Sequence, residues 1–405
     1  MNDKIKILSI ETSCDETAVS VLEYDHSNGK YLILADSLNS QIDIHKEYGG
    51  VFPTIAKREH GNNLLSLLKN CLEKIDTSDI EINIENMEIE ILSREEDLKR
   101  QIENIFKDNS TNILKNIPQI DYIAVTRGPG LEPALWVGLS FAKFLAKLWQ
   151  KPLLPINHME GHISSVLLEN NIEEFPTLAL LISGGHTELV DMENWGKYRI
   201  IGKTRDDAIG EAYDKVARIL GLTYPGGPEI AKKAQYIRDN FSVDQIDILK
   251  NKYSIKLPRP MINSQDLDLS FSGLKTAVLY LVRDIGELNE EMINLISHEF
   301  ENAVLEVLIK KLNFAHREND HKYKNLIVAG GVIANDFLKE HINKWCNENE
   351  LNFLKPDKKL ATDNAVMIGL AAIIGLSHNY VKILDPKLEE FNNLKPDGDW
   401  SIDNI

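Results

Sequence analysis

The fold class follows from two stretches, IKILSIETSCDETAVSV at residues 5–21 and ALLISGGHTELVDM at residues 179–192. Each consists of an apolar strand, a short polar turn and a returning strand, a pattern that predicts a β-hairpin. The paired glycines Gly184 and Gly185 permit positive φ angles and let backbone N–H groups approach phosphate or carbonyl oxygens closely. Because one such unit opens each half of the chain, we expect a duplicated fold with a ligand between its two lobes.

Strand-like and helix-period segments alternate along most of the remaining chain, as is typical of the α/β class. In NLIVAGGVIANDFLKEH, at residues 325–341, a strand leads through Gly330 and Gly331 into a helix. These glycines again permit close approach, and Asn335 near the first helical turn is placed to contact ribose or phosphate. No complete P-loop or G-x-G-x-x-G motif is present, so P-loop and Rossmann folds are disfavoured. The predicted helices span about residues 53–74, 133–149, 210–220, 291–314, 335–346 and 364–376.

The length and the net charge of the chain limit the classes of protein to which it can belong. The chain has 405 residues, which is typical of two lobes. It carries 45 Lys and Arg against 62 Asp and Glu, a net charge of −17, so composition indicates no broad basic surface for nucleic acid. The longest nearly unbroken apolar run, residues 365–376, is far shorter than the roughly 20 residues that cross a bilayer. The N-terminus has no secretory signal pattern, and we expect a cytoplasmic protein without membrane contact.

A histidine pair in INHMEGHISSV, at residues 156–166, indicates a metal site. His158 and His162 are four residues apart in a predicted helix, so both imidazoles face one side and can share an ion. Cys14, Cys71 and Cys346 stand far apart, so any metal is held by nitrogen and oxygen.

The third ligand that we expect is Asp363, in KLATDNAVMIGLAA at the N-terminus of the apolar final helix. Plain helix capping is the alternative role for this carboxylate, and the two roles can coexist. Two His and one Asp form the facial arrangement that suits Fe(II), or zinc, with open positions for substrate. Glu160 lies roughly 200° around the helix from His158, so it cannot act as the base of an H-E-x-x-H zinc protease.

Residues 73–108 hold twelve Asp or Glu and five Lys or Arg without a Gly or Pro. Leu98, Ile102, Ile105 and Phe106 fall on one helical face, which predicts an amphipathic helix or hairpin arm. A solvated insertion without a chemical role is the simplest interpretation. The stretch after Asn379 is expected to be a wrapping or frayed tail.

Nine motifs taken in order resemble the TsaD family of bacterial tRNA adenosine threonylcarbamoyltransferases. They cover most of the chain apart from about residues 73–118 and the tail. They are ETSCDET, YGGVFPTIAKREH, TRGPGLEPALWVG, NHMEGH, LLISGGHTELV, DDAIGEAYDKVARILGLTYPGGP, LDLSFSGLKTA, VAGGVIAN and TDNAVMIG.

This resemblance implies the actin-like, sugar-kinase-like (ASKHA) fold of two duplicated lobes with a ligand cleft between them. We expect an N-terminal lobe at residues 1–155 with an acidic insertion at about 73–117, and a tail at 377–405. A C-terminal lobe at residues 156–376 is expected to end in a helix that closes the cleft. Family members transfer a threonylcarbamoyl group from threonylcarbamoyl-AMP to the exocyclic amine of the adenosine 3′ of the anticodon (position 37), in tRNAs that read codons starting with adenine.

The resemblance also assigns roles to individual residues. The metal ligands match His158, His162 and Asp363, with one Fe(II) per subunit or alternatively zinc. Asp15 and Glu16 match the catalytic first turn. The residues expected to bind the adenylate or ATP-type nucleotide are Leu181, Ile182, Ser183, Gly184, Gly185, Asp214, Gly227 and Asn335. The implied partners are tRNA, a paralogous TsaB-like subunit and a TsaE-like ATPase.

The chain departs from the family pattern where Thr54 and Lys57 replace a common Glu and Ser, and at Glu132-Pro133 after GPGL. These changes bear on partner contacts more than on chemistry. The alternative functions are an actin-like small-molecule kinase or ATPase, a metallopeptidase and a non-catalytic paralogue. The His pair disfavours a kinase, since imidazole suits Fe or Zn better than Mg²⁺.

Overall fold

The computed structural model describes residues 3–81, 89–107 and 114–405, and it divides the chain into two compact units. Unit 1 comprises Met1–Leu168 and Asp363–Ile405, and unit 2 comprises Glu169–Thr362. The expected lobe boundaries at residues 155 and 376 differ from these divisions. In particular, the final apolar helix belongs to unit 1 and not to the second half of the chain.

Each unit is built on a mixed β-sheet. The strands of unit 1 are β1 (Lys4–Glu11), β2 (Glu16–Asp25), β3 (Lys30–Ser40), β4 (Thr77–Glu81), β5 (Asn116–Pro118), β6 (Tyr122–Gly128) and β7 (Leu153–Asn157). The strands of unit 2 are β8 (Thr177–Ile182), β9 (Thr187–Asn194), β10 (Lys197–Lys203), β11 (Asn325–Ala329) and β12 (Asn352–Leu354).

The two main sheets have the same topology, which confirms the duplicated α/β fold. In unit 1 the order is β3-β2-β1-β6-β7, and in unit 2 it is β10-β9-β8-β11-β12. In both sheets the first three strands pair antiparallel, as the two predicted hairpins require, and the remaining pairs are parallel. Register is set by partners such as Ser9 with Ser20 in unit 1 and Leu180 with Leu189 in unit 2.

The helices complete both units. They are α1 (Ile42–Lys46), α2 (Pro53–Leu72), α3 (Glu96–Lys107), α4 (Glu132–Trp149), α5 (His158–Ser164), α6 (Ile209–Ile219), α7 (Gly226–Asn240), α8 (Val243–Lys252), α9 (Ser272–Ile285), α10 (Glu290–Glu318), α11 (Asp336–Glu348), α12 (Ala365–Ser377) and α13 (Glu389–Asn393). The predicted helices agree with α2, α4, α6, α10, α11 and α12, whereas α7, α8 and α9 were not predicted.

Helix α12 lies against β1, β2 and α5 of unit 1. Its residues Ala365–Gly375 are buried on every side, as expected for a helix that is apolar all round. Gly369 permits the close approach, because a Cβ there would lie 2.7 Å from Leu22 Cδ1. The hydroxyl of Ser9 in β1 donates to the carbonyl oxygen of Ala365, at 2.7 Å. This packing is the physical reason why the final helix belongs to unit 1.

The acidic segment contributes to the core of unit 1. Leu98 and Ile102 of α3 are fully buried, which confirms the predicted amphipathic helix. Lys57 of α2, at a position where the family commonly has Ser, forms an ion pair with Glu95 at 3.2 Å and donates to the Arg94 carbonyl oxygen. Residues 82–88 and 108–113 of the expected insertion lie outside the described residues.

The C-terminal stretch wraps around unit 1, as one of the two expected arrangements. Phe391 of α13 is buried in the same core cluster as Leu153, and Leu384 exchanges two backbone hydrogen bonds with Leu153 at 2.9 Å. Among the described residues, no helix combines the length and apolar character needed to cross a membrane.

Candidate metal centre and nucleotide cavity

The predicted metal ligands come together in unit 1. Helix α5 begins at His158 because the side chain of Asn157 accepts the backbone N–H groups of Met159, at 2.9 Å, and Glu160, at 3.3 Å. One helical turn then places the rings of His158 and His162 with their centroids 4.7 Å apart. Both histidines are buried, at 5% and 1% exposure.

Asp363 completes the group from the chain segment before α12. Its Oδ1 lies 3.4 Å from His158 Nε2 and 3.2 Å from His162 Nε2. The N-cap of α12 is the neighbouring Asn364, whose side chain accepts the Met367 N–H at 2.9 Å. Capping, the alternative role for Asp363, is therefore performed by its neighbour.

The donor set fits a divalent transition metal. One ligand atom from each of the three residues lies within 4.8 Å of the others. Both ring nitrogens of His162 are buried without a hydrogen-bond partner among the described residues, since the contact with Asp363 lacks hydrogen-bond geometry. A buried imidazole without a partner is costly, and a cation shared with Asp363 would remove that cost. Two imidazoles and a carboxylate suit Fe(II) or zinc.

The carboxylates around His158 and His162 favour a positive charge in this group of ligands. Burial opposes a charge on His158, but the carboxylates of Asp363 and Glu11 outweigh it and raise the pKa of His158 well above its ordinary value. Burial also opposes charge on Asp363, yet His158 holds the pKa of that carboxyl far below its usual range. Either a proton on His158 or a cation among the ligands satisfies these carboxylates.

Glu11 orients His158, a role that was not predicted for it. This carboxylate is fully buried at the end of β1, and its Oε2 lies 3.1 Å from His158 Nδ1. Thr126 donates its hydroxyl to Glu11 Oε2, and Ser13 donates its N–H to Glu11 Oε1, both at 2.5 Å. A carboxylate on the far nitrogen of a histidine fixes its tautomer and ring orientation for metal binding. The signal in the sequence is an acidic residue directly after a buried strand.

Glu11→Gln is expected to lower the affinity of the centre for Zn²⁺ or Fe²⁺ about 10- to 100-fold, because His158 loses the charge that orients it. Competition with a chromophoric chelator measures the change. The control is Glu47→Gln, which removes the same charge at an exposed position. Equal affinities of the Glu11→Gln variant and the natural protein would show that Glu11 does not support the metal.

The predicted catalytic residues Asp15 and Glu16 lie in the turn between β1 and β2 and at the start of β2. Glu16 is 7% exposed, and its Oε1 accepts the hydroxyl of Ser40 at 3.4 Å. Burial, followed by the charges of Asp15 and Asp363, raises the pKa of Glu16 well above its ordinary value. The carboxyl group of Glu16 is therefore within electrostatic range of the metal ligand Asp363.

His60, at the end of the YGGVFPTIAKREH motif, holds the first turn in place and was also not predicted. Its Nε2 donates to the carbonyl oxygen of Cys14 at 3.0 Å. Because that oxygen only accepts, Nδ1 is the acceptor of the Thr17 hydroxyl, at 2.8 Å. Burial lowers the pKa of His60 to about 4, so the folded protein holds a neutral ring.

The free energy of unfolding of unit 1 is expected to fall in mild acid, because His60 is buried as a neutral ring. The unfolded chain, with an ordinary pKa near 6.5, binds this proton at a higher pH than the folded chain does. The contribution of His60 to the free energy of unfolding is therefore fully present above about pH 6.5 and declines toward pH 4. At pH 5 the free energy of unfolding is lower by about 2 kcal/mol. Urea unfolding at pH 7 and pH 5 measures this change in the free energy of unfolding. In His60→Gln the loss between the two pH values should be smaller by that amount, and an identical loss would rule out this role.

A cavity of about 1120 Å³ in unit 2 gathers four of the predicted nucleotide-binding residues. Gly184, Asp214, Gly227 and Asn335 all line it. The other predicted residues do not line this cavity. Of these, Leu181 and Ile182 are buried in β8, Ser183 exchanges hydrogen bonds with His186, and Gly185 lies in the same turn.

The glycine geometry differs from the expectation for the SGG turn. Neither Gly184 nor Gly185 has a positive φ, and a Cβ at either position would meet no atom within 4 Å. The close approach is made instead by Gly210 at the start of α6, where a Cβ would lie 2.8 Å from the Ser183 carbonyl oxygen. Positive φ occurs at Gly330, at +98°. The SGG turn therefore does not use the positive φ that its glycines permit.

Asp214 and Asn335 have structural contacts in addition to lining the cavity. Asp214 Oδ1 accepts the backbone N–H of Gly226 at 2.7 Å, which ties α6 to the start of α7. Asn335 is the N-cap of α11, and its Oδ1 accepts the N–H of Leu338 at 3.1 Å.

A family model and several known proteins that are similar to this chain share one description. The model of the TsaD family, described as tRNA N6-adenosine threonylcarbamoyltransferase, matches residues 32–84 and 93–370. A protein with this description from Staphylococcus saprophyticus is 40% identical over 375 residues, 92% of this chain and 91% of its own. One from Staphylococcus aureus (strain Newman) is 39% identical over 375 residues, 92% of each chain.

Similarity to solved structures is more distant. The crystal structure of T. kodakarensis HypF has a TM-score of 0.44 and 14% identity, and the match covers 95% of this chain and 49% of that one. At this distance the structural match adds nothing to the assignment. The sequence matches alone cover more than nine tenths of this chain at about 40% identity. The chain therefore belongs to the TsaD family of tRNA N6-adenosine threonylcarbamoyltransferases.

Proposed function

We propose that this protein transfers a threonylcarbamoyl group from threonylcarbamoyl-AMP to N6 of the adenosine 3′ of the anticodon, in tRNAs that read codons starting with adenine. The observation that carries the proposal is the convergence of His158, His162 and Asp363 in a chain of the TsaD family. A non-catalytic paralogue has no need of a buried imidazole pair facing a carboxylate. A kinase of this fold would hold Mg²⁺ through oxygen ligands, and imidazole suits Fe or Zn better than Mg²⁺.

The reaction forms one bond and breaks one. The N6 amine attacks the carbamoyl carbon, the bond from that carbon to the phosphate oxygen breaks, AMP leaves and N6 loses one proton to phosphate or water. Because AMP is already a good leaving group in this mixed anhydride, the enzyme mainly has to position the amine and stabilise developing charge.

The chain supplies positioning at two places. In unit 2, Gly184, Asp214, Gly227 and Asn335 would hold the adenylate in the cavity, and the bare Cα of Gly184 leaves room for it. In unit 1, His158, His162 and Asp363 would hold one Fe(II) or zinc ion. A metal bound there supplies a Lewis acid and a template for oxygen atoms of the donor.

The residues around the metal ligands have their own roles in this proposal. Glu11 keeps His158 Nε2 directed toward Asp363, because its carboxylate engages the other ring nitrogen. Asp15 and Glu16 are the proposed catalytic carboxyl groups. Glu16 is within range of the charge of Asp363, and His60 holds the first turn through the Cys14 carbonyl oxygen.

Partner proteins are part of the proposal. A chain with net charge −17 has little overall attraction for tRNA, so we expect a paralogous TsaB-like subunit and a TsaE-like ATPase to supply basic surface. We also expect the reaction to take place in the cytoplasm.

Reconstitution tests the function directly. The protein is mixed with TsaB-like and TsaE-like partners, a source of threonylcarbamoyl-AMP and unmodified tRNA, and the tRNA nucleosides are analysed by mass spectrometry. The expected product is N6-threonylcarbamoyladenosine at one position. Unmodified tRNA, in a mixture that the Staphylococcus saprophyticus relative does modify, would refute the proposal. A phosphorylated metabolite formed instead would establish the kinase alternative.

A further inference from the structure

Glu301 of α10 is a buried carboxylate in the wall of the unit 2 cavity, and the proposed reaction does not use it. Its side chain is 0% exposed. Glu301 Oε1 accepts a hydrogen bond from Asn335 Nδ2 at 2.5 Å, and Oε2 accepts one from Arg238 at 2.8 Å. A carboxylate this deeply buried is costly, so its partners have to be explained together with it.

The hydrogen bonds leave Asn335 one orientation. Its Oδ1 is engaged by the backbone N–H of Leu338, since Asn335 caps α11. Nδ2 must therefore face the opposite way, where Glu301 is purely an acceptor. These two hydrogen bonds identify which atom of the Asn335 side-chain amide is nitrogen and which is oxygen. Rotating the amide by 180° would break both of them. One Nδ2 hydrogen remains for a ligand in the cavity.

Arg238 of α7 is the second partner of Glu301. Its guanidinium lies 3.4 Å above the ring centroid of Phe337, which is two residues after Asn335. The ion pair with Glu301 and this stacking fix the guanidinium between α10 and α11. Replacing a buried ion pair by apolar residues is often neutral or stabilising, so stability alone does not explain why this one is present.

A third polar group lies in the same wall, near Glu301. Tyr213 of α6 lines the cavity, and burial together with the charge of Glu301 raises the pKa of its hydroxyl well above the ordinary value. The ring is held edge-on against Phe300, the residue before Glu301, with centroids 4.9 Å apart. Tyr213 is therefore a neutral hydroxyl on the same wall as Asn335, within electrostatic range of the Glu301 carboxylate.

We propose that Glu301 is a positioning residue for the nucleotide, which fixes the amide of Asn335 and the guanidinium of Arg238 in the orientation that the ligand requires. The ligand class is an adenine nucleotide, and this inference rests on the proposed function for that identity. Glu301 does not contact the reacting atoms. It acts through Asn335, the N-cap of α11, whose side-chain amide would otherwise be held only by the bond of its Oδ1 to the Leu338 N–H.

Glu301→Gln tests the inference, because the introduced amide has one acceptor oxygen for two donors. AMP binding to the full chain is measured by isothermal titration calorimetry, and the dissociation constant is expected to rise about tenfold. The control is Glu318→Gln, an exposed residue on the same helix whose partner is the adjacent Arg317. It should leave AMP binding unchanged.

A charge exchange distinguishes positioning from general stability. Glu301→Gln combined with Asn335→Asp restores the pairing of amide and carboxylate with the roles reversed, and Asp caps helices as well as Asn does. The double variant is expected to bind AMP more weakly than the natural protein, because the carboxylate introduced at position 335 has no N–H group for the ligand. Asn335→Asp alone places two carboxylates together and should bind at least about tenfold more weakly than the double variant. That comparison remains decisive if Glu301→Gln alone does not fold.

The outcomes separate this inference from the proposed function. If the natural protein binds AMP and Glu301→Gln binds it equally well, the positioning role is wrong while the nucleotide cavity stands. If a double variant that melts at the natural temperature binds AMP no more tightly than Asn335→Asp alone, the role is likewise overturned. If the natural protein does not bind AMP, both the inference and the nucleotide assignment are overturned.

Discussion

A double variant, His158→Ala with His162→Ala, is expected to lose its bound metal and its tRNA-modifying activity together. Two of the three ligands disappear, and only Asp363 remains to hold an ion. Since losing even an outer-shell partner costs 10- to 100-fold in metal affinity, we expect both metal affinity and transfer rate to fall at least about a thousandfold. Metal content by plasma mass spectrometry and product by nucleoside mass spectrometry measure the two effects.

The control for this variant is His26→Ala with His378→Ala, which removes two exposed imidazoles from the same unit. It should keep both metal and activity. Near-natural transfer by the His158 and His162 variant, after its metal has been lost, would remove the metal from the mechanism.

Gly330→Ala is expected to destabilise unit 2 by at least about 3 kcal/mol. Gly330 has a φ of +98°, a left-handed conformation that alanine adopts only with strain. A Cβ there would also lie 2.5 Å from the carbonyl oxygen of Ile182, the last residue of β8. Because β8 and β11 are paired neighbours, neither backbone can move aside without breaking the sheet.

The neighbouring Gly331→Ala is a matched control. A Cβ on Gly331 would have Thr362 Cγ2 as its nearest neighbour, at an ordinary contact distance of 3.8 Å. Thermal unfolding of the two variants measures the difference, and Gly330→Ala should melt well below Gly331→Ala. Equal melting temperatures would show that the β11 turn tolerates a side chain, contrary to this geometry.

The sequence predicted those parts of the fold and site that depend on local pattern. The two hairpins follow from apolar strands on either side of polar turns, and both occur. The spacing of His158 and His162 follows from one helical turn. Asp363 was predicted from its place before an apolar helix, and its neighbour Asn364 proves to be the cap.

What the sequence did not predict depends on contacts between distant segments. The orienting role of Glu11 arises only because β1 and α5 meet, 147 residues apart in the chain. His60 supports Cys14 for the same reason. The position of α12 in unit 1 is decided by packing against β1 and β2, which its uniform apolar sequence cannot specify.

The SGG turn shows a different limit of sequence reasoning. Glycine was expected there for its positive φ, yet Gly184 and Gly185 have ordinary backbone angles and open surroundings. The constraint lies at Gly210, where α6 begins against the turn. The glycines of the SGG turn are therefore not explained by backbone strain or crowding within this chain.

Anomalous X-ray scattering from crystals loaded with Fe²⁺ or Zn²⁺ tests the metal centre most directly. We predict a single strong peak about 2.0–2.2 Å from His158 Nε2, His162 Nε2 and an oxygen of Asp363. A fully loaded crystal with no peak among these three side chains, or with the ion held elsewhere, would contradict the account.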